Sequence, residues 1–184
     1  MRRLFTMLFL LAVLLVPAPS ALAAPAMFED VTLYLMHGGV YQPACFDLRV
    51  EARSNGNLVA VAESFTTMPV CITSYSQIKY VRLNFVNDPL ASVNPGDTIE
   101  VTVLARMAIT RTAAVGSLRI WYGGPPAYDS QIDADLGATN QTYYFHGGGQ
   151  LVPAEPPGPA LSNVVYQIWK PSYYSLGTWS RVAP

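Results

Sequence analysis

Two histidines, three closely spaced aspartates and two groups of aromatic residues are where this chain could do chemistry. His37 and His146 are the only histidines. Each closes a similar short run, Leu33-Tyr-Leu-Met-His37-Gly-Gly39 and Tyr143-Tyr-Phe-His146-Gly-Gly148. If the two strands are neighbours and point the same way, both imidazoles can reach one metal ion or one ligand, and the glycines let the backbone approach closely. The simpler reading, which leads, is that His-Gly-Gly ends a strand and makes a turn. Asp129, Asp133 and Asp135 stand in the spacing D-x3-D-x-D. Several oxygen ligands in one loop suit a hard cation, so Ca2+ is the one cofactor these residues suggest. The EF-hand pattern is missing, and a solvated acidic loop is the leading alternative.

The aromatic residues point to a different chemistry. Trp121 and Tyr122 precede Gly123-Gly124-Pro125-Pro126, and Tyr128 lies in the same loop. Trp169, Tyr173, Tyr174 and Trp179 form a second group near the C-terminus. Sugar rings stack on such faces, but aromatics also fill cores and protein interfaces. Alternation along the strand puts Trp121 opposite Ile120 and Tyr122, so one of the Trp121–Tyr122 pair should face solvent. Catalytic motifs are missing: there is no G-x-S-x-G elbow, H-E-x-x-H, P-loop or dinucleotide fingerprint.

These residues sit in a chain with the marks of export. Arg2 and Arg3, the apolar run Leu4 to Val16, and Ala21-Leu22-Ala23 follow the order of a secretory signal peptide over residues 1–23. The run is too short to span a bilayer as a helix. No transmembrane helix is expected in the mature chain, which should begin near Ala24. Cys45 and Cys71 are the only cysteines, and in an oxidising compartment an even count favours a disulfide over a free thiol. Charged residues make up 12% of the chain, with Lys+Arg 11 against Asp+Glu 12. So weak a net charge gives no electrostatic case for nucleic acid.

Period-two alternation dominates the mature region. Strands are expected over 30–37, 46–53, 58–65, 77–86, 98–109, 116–122 and 140–146. Asn55-Gly56 marks a hairpin between the second and third. Centring the turn there pairs residues whose numbers sum to 111, which puts Phe46, Leu48, Val50 and Ala52 on one face with Val59, Val61 and Phe65. Glu63 then falls on that apolar face, so it lies at the rim or a bulge shifts the register. In this register Glu51 and Glu63 lie on opposite faces, which counts against a paired-carboxylate glycosidase. Four prolines within 153–159 predict an extended linker. The aromatic segment 160–184 should return as a strand or hairpin docked on the domain of residues 24–152.

Val93-Asn94-Pro95-Gly96-Asp97-Thr98-Ile99-Glu100-Val101-Thr102-Val103 resembles the turn-and-strand segment of bacterial surface modules of the immunoglobulin-like kind. The resemblance spans about a dozen residues. It implies an exported, often non-catalytic domain and carries no functional residue with it. The expectation is therefore an all-β protein, a single antiparallel β-sandwich (Ig-like or jelly-roll) of about 7–9 strands, with a small barrel as the alternative. It should be secreted or extracytoplasmic, in the periplasm or at the cell surface. Its leading role is an adhesive or structural interaction module contacting an envelope protein or glycan. A carbohydrate-binding module using Trp121, Tyr122, Tyr128, Trp169, Tyr173 and Trp179 comes second, and a small secreted hydrolase third.

Overall fold

The computed structural model describes residues 27–39, 44–64, 69–74, 76–110, 115–124, 128–136 and 140–184. The signal peptide over 1–23 and the core position assigned to Phe65 lie outside them. The described residues form thirteen strands and no α-helix: β1 Met27–His37, β2 Ala44–Ser54, β3 Asn57–Glu63, β4 Val70–Ile72, β5 Ile78–Asn84, β6 Val86–Asn87, β7 Thr98–Met107, β8 Val115–Tyr122, β9 Gln131–Asp135, β10 Asn140–His146, β11 Gln150–Val152, β12 Leu161–Trp169 and β13 Tyr174–Val182. The all-β, mainly antiparallel expectation holds, with more strands than anticipated. Three of the additional ones, β4, β6 and β11, have two or three residues, too few to show a period.

The strands join in one ladder that folds over a single apolar core. One layer is built on β1, with β5 on one side and β8 and β9 in succession on the other. The second layer is built on β2, with β7 on one side and β4 and β3 in succession on the other. Strands β10 and β11 carry the ladder from one layer to the next, and the single parallel pairing, β11 with β13, makes the join. At the opposite side β5 and the β3–β6 pair end their layers. There the Asn87 side-chain amide bonds Phe28 N and O at 2.9 Å each, tying β6 to β1.

Each central strand thus faces a gap between two successive partners, and a serine closes it. Opposite β2, Ser64 Oγ accepts Leu48 N at 2.8 Å while Ser64 N donates to Leu48 O. Opposite β1, Ser130 Oγ accepts Tyr34 N at 3.1 Å and donates to Trp121 O at 2.6 Å, while Ser130 O accepts Phe145 N. A backbone amide left unbonded in a buried layer costs more than a hydrogen bond returns, so each hydroxyl stands in for a missing ladder contact.

Period two explains the core. Phe46, Leu48, Val50 and Ala52 on β2 and Ile99, Val101, Val103 and Ala105 on β7 are fully buried, and the residues between them, all polar except Leu104, take the other face. Asn55 and Gly56 both take positive φ, 48° and 82°, as the tight hairpin turn requires. The register sums to 111 only next to that turn. A bulge at Ala52/Arg53 then shifts it to 112, pairing Arg49 with Glu63 and Glu51 with Val61. Ala60 and Ala62, rather than Val61, therefore join the core, and Glu63 moves to the outer face. Glu51 and Glu63 lie on the same face, not on opposite ones. Arg49 stands between them and bonds both, at 2.7 and 2.5 Å.

The aromatic C-terminal segment joins both layers. Strand β12 extends β8, and β13 lies between β11 and β7. Trp179 of β13 is 1% exposed. Its indole stacks on Phe145 at 4.4 Å between centroids, meets Tyr122 edge-on at 5.2 Å, and donates Nε1 to His146 O at 3.1 Å. Gly177 leaves the space, since a Cβ there would stand 2.4 Å from the indole. Cys45 and Cys71 face each other across the β2–β4 pair and form a disulfide.

The native protein should give no reaction with a thiol reagent until it is reduced. Trp179→Ala should cost about 3–5 kcal/mol in equilibrium urea unfolding. Gly177→Ala removes no contact yet should also destabilise. A Gly177→Ala variant as stable as the parent would show that the indole does not depend on this close approach.

Candidate functional site

Strand pairing decides which of the sequence candidates come together. β1 and β10 are not neighbours, because β9 lies between them. Each histidine instead turns its Nδ1 to its own Gly-Gly segment: His37 to Gly39 O, and His146 to Gly147 O at 3.0 Å. The shared-metal arrangement of His37 and His146 is not formed, and the turn reading describes both. The aspartate loop is in part a strand. Ile132 and Ala134 are buried and alternate with Gln131, Asp133 and Asp135, so period two carries β9 through a segment rich in turn formers. Asp133 and Asp135 are successive outward positions about 7 Å apart along the strand, and Asp133 accepts a bond from Thr142 Oγ1. Among the described residues, no group of three or more His, Cys, Asp or Glu side chains is placed to hold a metal ion.

The aromatic candidates divide. Trp179 is wholly buried and Tyr122 nearly so, its hydroxyl donating to Asn163 Oδ1 at 2.6 Å, so neither offers a ring face to a ligand. Residue type alone does not separate a core aromatic from a surface one, so the ligand-binding expectation for Tyr122 and Trp179 is corrected by their burial. Tyr173 is half-buried beneath the Arg106 guanidinium, 4.8 Å from its ring centroid. Trp169, 44% exposed, sits near the end of β12 opposite Val115.

Trp121 and Tyr128 remain together, 5.6 Å apart, with Arg119 over the indole at 5.4 Å. As alternation requires, Trp121 points outward from β8 while Ile120 and Tyr122 point inward. Trp121 is the register partner of Tyr34, which in turn pairs with Tyr80 on β5. The rings of Tyr34 and Tyr80 meet edge-on at 5.6 Å, and Tyr80 is 53% exposed. Tyr144 of β10 pairs with Gln131 on the same outward face. Four strands thus bring Tyr80, Tyr34, Trp121 and Tyr144 to one outer surface, and Tyr128 adds a fifth ring. No sequence signal linked Tyr34, Tyr80 and Tyr144 to Trp121, because their proximity is a product of pairing.

Asp129 lies in the gap between β8 and β9, 1% exposed. Its Oδ1 accepts Gly123 N at 3.1 Å, and its Oδ2 has no partner among the described residues. Burial pushes its carboxyl up to about 7. The Gly123 hydrogen bond opposes that rise and the charge of Glu155 adds to it. The hydroxyls of Tyr34 and Tyr144 are both raised, first by burial and in part by Asp129. Beside this surface Arg82 pairs with the buried Asp30. A separate groove of about 730 Å³ runs between β3 and β5–β6, lined by Leu58, Val61, Leu83 and Val86 with Arg49 and Arg82.

The folded state holds the Asp129 proton more tightly than the unfolded chain, so its contribution to stability falls as pH rises from about 4 to about 7 and then levels off. Asp129→Asn keeps the acceptor for Gly123 and removes the titration. Its melting temperature should match the parent near pH 4 and exceed it increasingly up to about pH 7. A constant difference across that range would place the carboxylate in water.

No protein-family model, no curated protein and no solved structure matches this chain.

Proposed function

We propose that this protein is an exported, non-catalytic β-sandwich module that acts by surface contact in the cell envelope. The contact face is the outer surface of the β5–β1–β8/β9–β10 layer. The observation that carries this reading is the grouping of Tyr80, Tyr34, Trp121, Tyr128 and Tyr144 on one outward face of the sandwich, away from its buried core. Outward faces of strands are ordinarily polar, and aromatics gathered there are typical of recognition surfaces. Export is supported by the residue order of segment 1–23 and by the Cys45–Cys71 disulfide, which suits an oxidising compartment. The carboxylates Glu51 and Glu63, both engaged by Arg49, favour a structural role for the acids that a hydrolase would need.

Two measurements check this. N-terminal sequencing of protein recovered from outside the cytoplasm should begin near Ala24, and an intact Met1 would remove the export argument. The purified protein should sediment with washed envelope fragments of the cells that make it. Tyr80→Ala should release most of it, whereas Leu90→Ala, at a residue 93% exposed elsewhere, should not. Equal retention by both variants would exclude this face.

A further inference from the structure

A sheet edge carries unpaired N–H and C=O groups, and proteins guard such edges with charge, short length, bulges or a covering segment. The edges at β4, β5 and β6 are guarded. Strand β5 carries Lys79 and Arg82, β4 and β6 have three and two residues, and the Cys45–Cys71 disulfide pins β4 to its neighbour. Strand β12, which ends the ladder opposite β6, is different. It runs for nine residues, Leu161–Trp169, without a charged side chain, and Leu161, Tyr166 and Trp169 are exposed. It pairs with β8 alone, and among the described residues no backbone hydrogen bond reaches its other edge. A bulge between Val165 and Ile168 leaves Leu161–Val165 as its regular run, which is of ordinary strand length.

We infer that β12 pairs antiparallel with β12 of a second copy of this chain, joining two outer layers into one continuous sheet. Only another main chain presents donors and acceptors at the spacing of a strand edge, so what covers this edge is a strand. Charge selects which strand. A second copy brings an edge that is itself unpaired and uncharged, so no like charges meet and no ion is buried. Self-pairing of β5, by contrast, would bring Lys79 and Arg82 of both copies together. A two-fold axis at Asn163 sets Leu161 opposite the second copy's Val165, and Ser162 opposite its Val164. Each of these side chains is at least partly exposed in the single chain. The two-fold uses the edge up, so assembly stops at two. Ser162 is the register partner of Trp121 on β8, and opposed residues of antiparallel strands share a face. Both copies therefore present Trp121 on the same side of the joined sheet. The pairing goes beyond the contact-face reading and stands without it.

The test is analytical ultracentrifugation of the purified protein, its disulfide intact, over a range of concentrations. A monomer–dimer equilibrium is expected, with no larger species. Ser162→Lys and Leu161→Lys each place a charge on the shared edge in both copies and should weaken dimerisation about tenfold or more. Leu90→Lys, at an exposed position in the loop after β6, should leave it unchanged. Near-UV circular dichroism of the buried Trp179 indole reports whether each variant is folded. Ser162 contributes nothing to the buried core, so its variant remains informative if Leu161→Lys fails to fold. A parent protein that is monomeric at every concentration overturns the inference and leaves the edge to a strand of another protein. A dimer that both lysine variants leave intact overturns it too, as do species larger than a dimer. Retention on envelope fragments through Tyr80 is measured separately, so the contact-face reading stands or falls independently.

Discussion

The packing of one indole holds the architecture together. Trp179 enters from β13, stacks on Phe145 of β10, abuts Tyr122 of β8 and bonds the backbone of His146. Those three strands belong to parts of the ladder that β1 cannot unite, because β8 and β9 meet β1 in succession and then diverge to β12 and β10. A fork in a sheet leaves a wedge-shaped space on its inner side. Only a large, flat, mostly apolar side chain fills such a space without a void, and its single N–H needs an acceptor. Gly177 gives up its side chain so that this can happen.

The same fork creates the candidate site on the outside. The chain leaves β8 at Tyr122 and rejoins the layer at Gln131, and Ser130 replaces the ladder bonds that the excursion removes. The excursion brings Tyr128 against Trp121 and seats Asp129 in a dry position. A carboxylate there is held near neutrality by its surroundings rather than by an ion pair. The fold and the proposed function therefore meet at one irregularity, with Trp179 filling its inner side and Trp121 lining its outer side. The equivalent gap opposite β2 is closed by Ser64 in the same manner.

Much of the β structure was legible in the sequence because alternation is local. Ile99, Val101, Val103 and Ala105 declare a strand and its buried face without reference to any partner, and Asn55-Gly56 declares its turn. Glu63 even signalled an error in the assumed register, since a charge on an apolar face demands a bulge, and the bulge is present four to five residues before it, opposite Ala52/Arg53. The short strands β4, β6 and β11 escaped notice because two or three residues cannot display a period. In strand β9 the aspartates carry a loop signal locally, and only the burial of Ile132 and Ala134 against the core makes the segment a strand.

By itself the sequence determined the fold class, the cysteine pair, the low charge and the markers of export, all of which follow from residue type and local spacing. Tertiary structure alone decided which aromatics are core and which are surface, that the strands of His37 and His146 do not pair, and that Tyr34, Tyr80 and Tyr144 share an outer face with Trp121. The physical reason is that a side chain's environment depends on which strands pair and in what register. Strand order in this ladder is set by burial of the whole inner face at once, with contacts such as Trp179 on Phe145 spanning segments that no local pattern connects.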